Sequence, residues 1–292
     1  EITNRGHGME PVIEATKRLK NAGFKVAYHL MLGLPGEGYE EDIEKFRKTF
    51  SDSDLQPDEV KIYPCEVIQG TELYRQYEEG EFDPIDDEEA KERLKEILEN
   101  EIPPHVRVKR VMRDIPSTEV DAGPQLTNMR QMALQELHKE DKRCRCTRCR
   151  EVGHMERTHD VQPEKEDIEI VERDYEASGG HEYFISFEDT EKDILLGFVR
   201  LRTTEESHRD EIDEDTLLVR QLKVLGSAAD IGGEGEVQHQ GYGTRLMEKA
   251  EEKARELGKD KVTVISAVGT REYYRKLEYE LDGPYMSKDL RN

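Results

Sequence analysis

The chain has 292 residues, of which 38% are charged and 34% apolar, with a formal net charge of −23. That is length enough for two domains with their own cores. Its periodic apolar runs exclude a disordered chain, and the absence of any run of about 18 apolar residues excludes a transmembrane helix. So acidic a chain does not hold nucleic acid through its global field; the exception is residues 105–150, where eleven Lys and Arg face six Asp and Glu, giving +5 against −28 for the rest.

In chain order, residues 9–21 have helical spacing and stop at Gly23. FKVAYHLML follows as an apolar run of strand length, and GLPGEGYEED is a Gly/Pro loop into a helix over 39–50. VKIYP is a short strand, helices are predicted over 71–78 and 86–99, and HVRVKRV is a basic strand-like stretch. Strands and helices alternating at this length predict βα units on a parallel sheet. They amount to about half of a (βα) barrel over residues 1–113, a complete barrel needing roughly 100 residues more. Residues 114–160 read as a linker module: a Pro/Gly loop, the helix LTNMRQMALQELHKE and a cysteine cluster. From 161 the pattern changes. YFISFE and ILLGFVRLR are adjacent antiparallel strands, LLVRQLKVLGS a longer one, GYGTRLMEKAEEKARELG an amphipathic helix, KVTVISAV a buried strand, and REYYRKLEYELDG a short helix followed by a strand.

The sharpest local signal is Gln238-His239-Gln240-Gly241-Tyr242-Gly243-Thr244, directly before that amphipathic helix. It resembles the [QR]-x-x-G-x-[GA] pattern of the GNAT acetyltransferases. Glycines let the backbone approach a pyrophosphate, and the N–H groups of a first helical turn point at it. A Gly-rich helix start by itself is most often only a tight turn, so its neighbours decide. The preceding Gln221-Leu222-Lys223-Val224 stands where such proteins offer backbone groups to the pantetheine arm, and KVTVISAV where the sheet splays to admit it. Tyr273 and Tyr274 then open a short helix beside the expected thioester. A tyrosine hydroxyl there protonates or hydrogen-bonds the leaving thiolate; core packing is the alternative use of such a pair. The expected acetyl-CoA contacts are Gln221, Leu222, Lys223, Val224, Gln238, Gly241, Tyr242, Gly243, Thr244, Arg245 and Tyr274, with Tyr273 and Tyr274 as catalytic candidates in a C-terminal GNAT α+β domain over 161–292.

Cys144, Cys146 and Cys149 lie within six residues, a spacing that suggests a metal site in a reducing compartment rather than a disulfide framework. The absence of a leader segment agrees with a cytoplasmic protein. Arg143, Arg145, Arg148 and Arg150 favour the thiolate forms, and zinc is the expected metal. His154, His159, His138 and Cys65 are candidate fourth ligands; incidental buried or redox-active thiols are the alternative. The basic segment is either a solvated face or a holder of RNA phosphates. His29 and Lys61, on successive strands, are possible lining residues of the barrel, or an ordinary core histidine and a snorkelling lysine.

Longer stretches carry a resemblance to one family. DILLGFVRLR, QLKVLGS, QHQGYGTRLMEKAE and VGTREYYRKLEYELDGPYM resemble the acetyltransferase half of the Elongator catalytic-subunit family, archaeal type. NRGHGMEPVIEATKRLKNAGFKVAYHLMLGLPGEGYEED, KIYPCEVIQGTELY and RVMRDIPSTEV resemble the rear half of its radical SAM domain. The resemblance implies modification of the wobble uridine of tRNA at carbon 5, giving a carboxymethyl-type product. In that scheme a 4Fe-4S cluster cleaves S-adenosylmethionine, and the GNAT domain binds and cleaves acetyl-CoA when tRNA is present. It also implies partner Elongator-type subunits, or none in an archaeon, and a zinc site in some members, read here as structural. The family's three cluster cysteines are absent, so this chain alone is not expected to assemble the cluster. They would lie upstream of Glu1, and a fragment of a longer protein is the expectation, because half a barrel exposes its sheet edges. Two smaller departures are Ala267, where glycine is expected, and Glu278, where glycine is common; a glutamate at positive φ would cost about 1 kcal/mol. The competing functions are a protein lysine acetyltransferase, disfavoured by Gln221 where a carboxylate base is wanted, and a non-catalytic module binding acyl-CoA and RNA.

Overall fold

The computed structural model describes residues 5–113, 115–226 and 241–291. Its elements are α1 (Met9–Asn21), β1 (Ala27–Leu32), α2 (Tyr39–Ser51), β2 (Glu59–Pro64), α3 (Glu72–Glu78), α4 (Asp87–Glu96), β3 (Arg107–Val111), α5 (Met129–Lys139), α6 (Thr147–Arg150) and α7 (Val152–His159). There follow β4 (Ile168–Ala177), β5 (Gly180–Asp189), β6 (Ile194–Thr203), β7 (Thr216–Val224), α8 (Tyr242–Glu256), β8 (Lys261–Ile265), α9 (Arg271–Arg275), β9 (Glu280–Asp282) and β10 (Tyr285–Asp289). Compactness divides the chain into two units. One holds Ala27–Asp52, Gln56–Arg148 and the residues before Met9; the other holds Met9–Val26, Ser53–Leu55 and the chain from Cys149 onward.

In the first unit the βα alternation gives the expected parallel sheet, in the order β1-β2-β3. Leu32, Val60, Ile62 and Val108 are fully buried on it, as are Phe46 of α2 and Leu94 of α4. The turn after β1 is fixed by Gly33, at φ +68, where a Cβ would lie 2.7 Å from Ile85 Cδ1. Its N–H donates to the buried Asp42 carboxylate at 2.8 Å, which also accepts from Arg93 at 2.6 Å. Helix α4 runs on as one π-helical turn, Ile97–Glu101. Sequence pattern placed α5 in a linker, but it packs within this unit: Lys91 reaches Glu136 at 2.7 Å, and Lys95 reaches Glu140 at 3.1 Å.

The second unit is a seven-stranded sheet in the order β4-β5-β6-β7-β8-β10-β9, antiparallel except for β7 against β8. Its amphipathic helix α8 buries Leu246, Met247, Ala250 and Ala254, spaced three and four apart as one helical face requires. These join Val199, Leu217, Val219, Val262 and Val264 in one core. Strand β4 went unread in the sequence because it is an edge strand whose residues alternate between exposed and half-buried and carry many charges. The hairpin joining it to β5 turns on Ser178 and Gly179, at φ 49° and 69°, the paired positive values of a type I′ turn.

Helix α1 belongs to this second unit rather than to the barrel portion. Lys20 and Asn21 at its end are buried. Asn21 Oδ1 accepts from Arg202 Nε at 2.7 Å, and Arg220 donates to the Phe24 carbonyl at 2.8 Å. Glu182, with no exposed side-chain surface, pairs with Arg202 at 2.9 Å, Arg220 at 2.8 Å and Lys20 at 3.8 Å. A second buried carboxylate, Glu188, accepts from Arg173 at 2.6 Å and Arg150 at 2.7 Å. Burial works to raise its pKa, but the bonds from Arg173 and Arg150 prevail and hold it down at about 2.

Both glycine departures have a backbone reading. Ala267 is extended, at φ −67° and ψ 149°, so its position does not require glycine. Glu278 sits at φ 68°, the left-handed region where a Cβ is strained. Its side chain is 85% exposed and makes only a loose pair with Lys288 at 3.4 Å. Glu278→Gly is therefore expected to stabilise the protein by about 1 kcal/mol, read as a higher denaturation midpoint with an unchanged slope; a lower midpoint would show the ion pair to outweigh the strain.

Candidate acetyl-CoA site and cysteine cluster

The site in the second unit lies where β7 and β8 part. They pair in parallel from Thr216↔Lys261 to Val219↔Val264. Beyond Val219, β7 runs on to Val224 with its register kept only on the other side, where Arg200↔Gln221, Val199↔Leu222, Phe198↔Lys223 and Gly197↔Val224 pair with β6. This is the splay expected from the sequence, and it stands at the carboxyl ends of two parallel strands, where α/β folds place their ligands. Gln221, Leu222, Lys223 and Val224 are all half-buried there.

Helix α8 starts at the same end. Gly241 caps it in the left-handed conformation, at φ 73° and ψ 13°. The first turn carries no acidic residue, whereas those of α2 and α4 each carry three. Unsatisfied N–H groups and the helix dipole make such an end attractive to an anion. Gly243 is tightly framed: a Cβ on it would lie 2.8 Å from the Tyr273 hydroxyl and 3.7 Å from Val224 Cγ2. The end of β7, the start of α8 and the start of α9 therefore meet at Gly243. Gln238 lies outside the described residues.

The remaining expected contacts divide by role. Tyr242 is buried in the core, its ring 4.8 Å from that of Phe187, which leaves its backbone for a ligand. The Arg245 guanidinium stacks 4.4 Å above the Phe187 ring. Tyr274 is 6% exposed and joins the core, with its ring 5.2 Å from Tyr273 and 6.1 Å from Tyr279. Burial, then the neighbouring Tyr273, pushes the Tyr274 phenol up to about 12. Burial also raises Tyr273, against an opposing influence from the Thr244 side chain, although its hydroxyl has no hydrogen bond of good geometry among the described residues. Both phenols hold their protons at neutral pH, as a proton donor to a leaving thiolate must.

The sulfurs of Cys144, Cys146 and Cys149 lie within 4.8 Å of one another, all buried. Three converging thiols are a donor set that suits zinc. Arg130 donates to Cys146 Sγ at 3.7 Å, which favours the thiolate. No fourth Cys, His, Asp or Glu joins the group among the described residues, His154, His159, His138 and Cys65 included. Cys65 is buried alone within the first unit, and burial pushes its thiol up to about 11. A single cysteine in the first 143 residues does not fit a radical SAM cluster. Of the basic segment, Arg150 is buried in its pairs with Glu188 and Asp193, while Arg130 and Arg148 donate to the carbonyls of Val108 and Lys109. Arg143 and Arg145 are exposed. His29 and Lys61 face each other in register on β1 and β2, with His29 exposed and edge-on to Tyr63 at 5.5 Å. Burial, then the charges of Lys61 and Arg113, lowers the His29 pKa.

Fold and site together define an acetyltransferase unit of the GNAT class joined to the rear of a radical SAM barrel. Residues 57–139 match the Radical SAM C-terminal domain and residues 146–279 the acetyltransferase (GNAT) family. The chain is 47% identical to the tRNA uridine(34) acetyltransferase of Methanocaldococcus infernus over 99% of its length and 55% of that protein's. It is 44% identical to human Elongator complex protein 3, over 99% and 53% respectively. The structure of M. infernus Elp3 with an N-terminal deletion superposes with a TM-score of 0.92 at 47% identity, covering 98% of this chain and 68% of that one. The chain belongs to the Elp3 family. It spans about half the length of the curated relatives it matches. Among the described residues no helix is long and apolar enough to cross a membrane.

Proposed function

We propose that this chain carries the acetyl-CoA-binding and thioester-cleaving part of a tRNA-stimulated modification of wobble uridine at carbon 5, with a carboxymethyl-type product. The observation that carries the reading is the meeting at Gly243 of the β7 end, the α8 start and the Tyr273 hydroxyl. The pyrophosphate of acetyl-CoA is held by the first-turn N–H groups of α8 from Gly241 through Thr244, with Arg245 on the next turn. The pantetheine arm lies along Gln221, Leu222, Lys223 and Val224, in the opening between β7 and β8. Water attacks the thioester carbonyl carbon, the carbon–sulfur bond breaks to leave the acyl group as a carboxylate, and the departing thiolate takes a proton from the phenol of Tyr273 or Tyr274, which the proton released by the attacking water restores.

Zinc on Cys144, Cys146 and Cys149 ties down its loop and is structural, in a cytoplasmic setting that keeps thiols reduced. Exposed Arg143 and Arg145 suit tRNA phosphates. The radical half of the reaction, with its 4Fe-4S cluster and S-adenosylmethionine, is not supported by the cysteines of this chain, and its protein partners are Elongator-type subunits, or none in an archaeon. The relatives' names, tRNA uridine(34) acetyltransferase and Elongator complex protein 3, support the substrate.

The test is CoA release from acetyl-CoA with and without tRNA, in the wild type and in Tyr273→Phe and Tyr274→Phe. The expected result is release stimulated by tRNA and reduced about 100-fold in one of the two variants, the scale of general acid catalysis. tRNA-independent acetylation of lysine peptides would instead indicate a protein acetyltransferase. Binding without release would indicate an acyl-CoA and RNA-binding module.

A further inference from the structure

Burying a polar group without a hydrogen-bond partner costs free energy, so each such group calls for a reason. Among the described residues two buried side-chain hydroxyls lack a hydrogen bond of good geometry: Ser266 Oγ and Tyr273 Oη. They bracket a single turn, Ser266 directly after β8 and Tyr273 within α9. The side-chain hydroxyl within the strand behaves differently: Thr263, fully buried on β8, bonds Ser287 of β10 at 2.9 Å. Ser266 lies one residue past the last β8–β10 pair, Ile265↔Tyr285, and two past the last β7–β8 pair, Val219↔Val264. Its hydroxyl is thus buried at the point where the sheet stops offering it neighbours. Tyr273 Oη is the group that touches the frame of Gly243.

From this placement we infer that Ser266 is a ligand-binding residue of the acetyl site, its hydroxyl donating a hydrogen bond to a carbonyl of the acyl-pantetheine arm. The inference rests on the acetyl-CoA reading above. The arm presents carbonyl acceptors at its two amides and at the thioester, and a buried hydroxyl is a suitable donor to any of them. A hydroxyl satisfied only by ligand also leaves a stability signature. Removing one member of an existing internal bond destabilises a protein, whereas removing a polar group that has no internal partner does not.

The experiment measures thermal midpoint without ligand, and affinity for acetyl-CoA and for CoA by calorimetry, in wild type, Ser266→Ala and Ser266→Thr. Ser266→Ala is expected to keep or raise the midpoint while weakening acetyl-CoA binding about ten-fold, and Ser266→Thr, which retains the hydroxyl, to bind within about two-fold of wild type. Equal weakening for CoA and acetyl-CoA assigns the bond to a pantetheine amide; weakening for acetyl-CoA alone assigns it to the thioester carbonyl. A lowered midpoint with unchanged affinity would overturn the inference by making the hydroxyl structural, and so would unchanged affinity alone. If the wild type itself fails to bind acetyl-CoA, the underlying reading falls and takes the inference with it, a result distinct from wild-type binding that Ser266→Ala leaves intact.

Discussion

Glu182→Gln is expected to cost the second unit about 3–5 kcal/mol, the usual effect of breaking a buried ion pair from one side. The carboxylate has no exposed surface and holds Arg202, Arg220 and Lys20, each also without exposed side-chain surface. Glutamine keeps the shape and one acceptor but removes the charge opposite three cations. For a unit of this size the loss corresponds to a fall in midpoint of roughly 10 °C. The comparison is Glu206→Gln. Its partner Lys17, 2.5 Å away, also lies on α1, but the Glu206 side chain is 74% exposed, and solvent and salt leave such a pair little net stabilisation. Thermal denaturation of the two variants side by side separates the cases; similar small losses would show that Glu182 does not anchor α1.

Gly241→Asp is expected to abolish practical affinity for acetyl-CoA, by about 100-fold or more, while leaving the fold intact. Aspartate tolerates the left-handed backbone that Gly241 adopts better than most residues do. It is also a favourable helix N-cap, and its charge suits the helix dipole. The same charge then occupies the anion site in place of the pyrophosphate and repels it. A Cβ at this position meets nothing within 4 Å, so steric disruption does not confound the result. Calorimetric titration with acetyl-CoA reads the affinity, and circular dichroism confirms the fold. Binding at wild-type strength would place the pyrophosphate elsewhere.

The acetyltransferase unit was legible because its signals are periodic and local. The α8 stripe, the apolar strands and the Gly-rich start each follow from spacing, whereas the β7–β8 splay was an expectation from the resemblance to GNAT acetyltransferases. The ownership of α1 was not legible: a buried lysine and asparagine at a helix end read in sequence as an ordinary polar terminus. Their burial depends on Glu182 and Arg202, more than 150 residues away. The adjacent tyrosines were legible as a pair but not in their roles. Only the fold separates Tyr273, at the Gly243 frame, from Tyr274, in the core. Ser266 gave no signal, since a serine after a strand is commonplace until the burial of its hydroxyl is seen. The strain at Glu278 was legible only through the family resemblance, where glycine is common at that position, and is present in the backbone.

The most direct test of the central claim is a calorimetric titration of this chain with acetyl-CoA. A one-to-one isotherm with micromolar affinity, lost in Gly241→Asp, is the result that a GNAT site at the β7–β8 splay predicts. A folded chain that takes up no acetyl-CoA would contradict it.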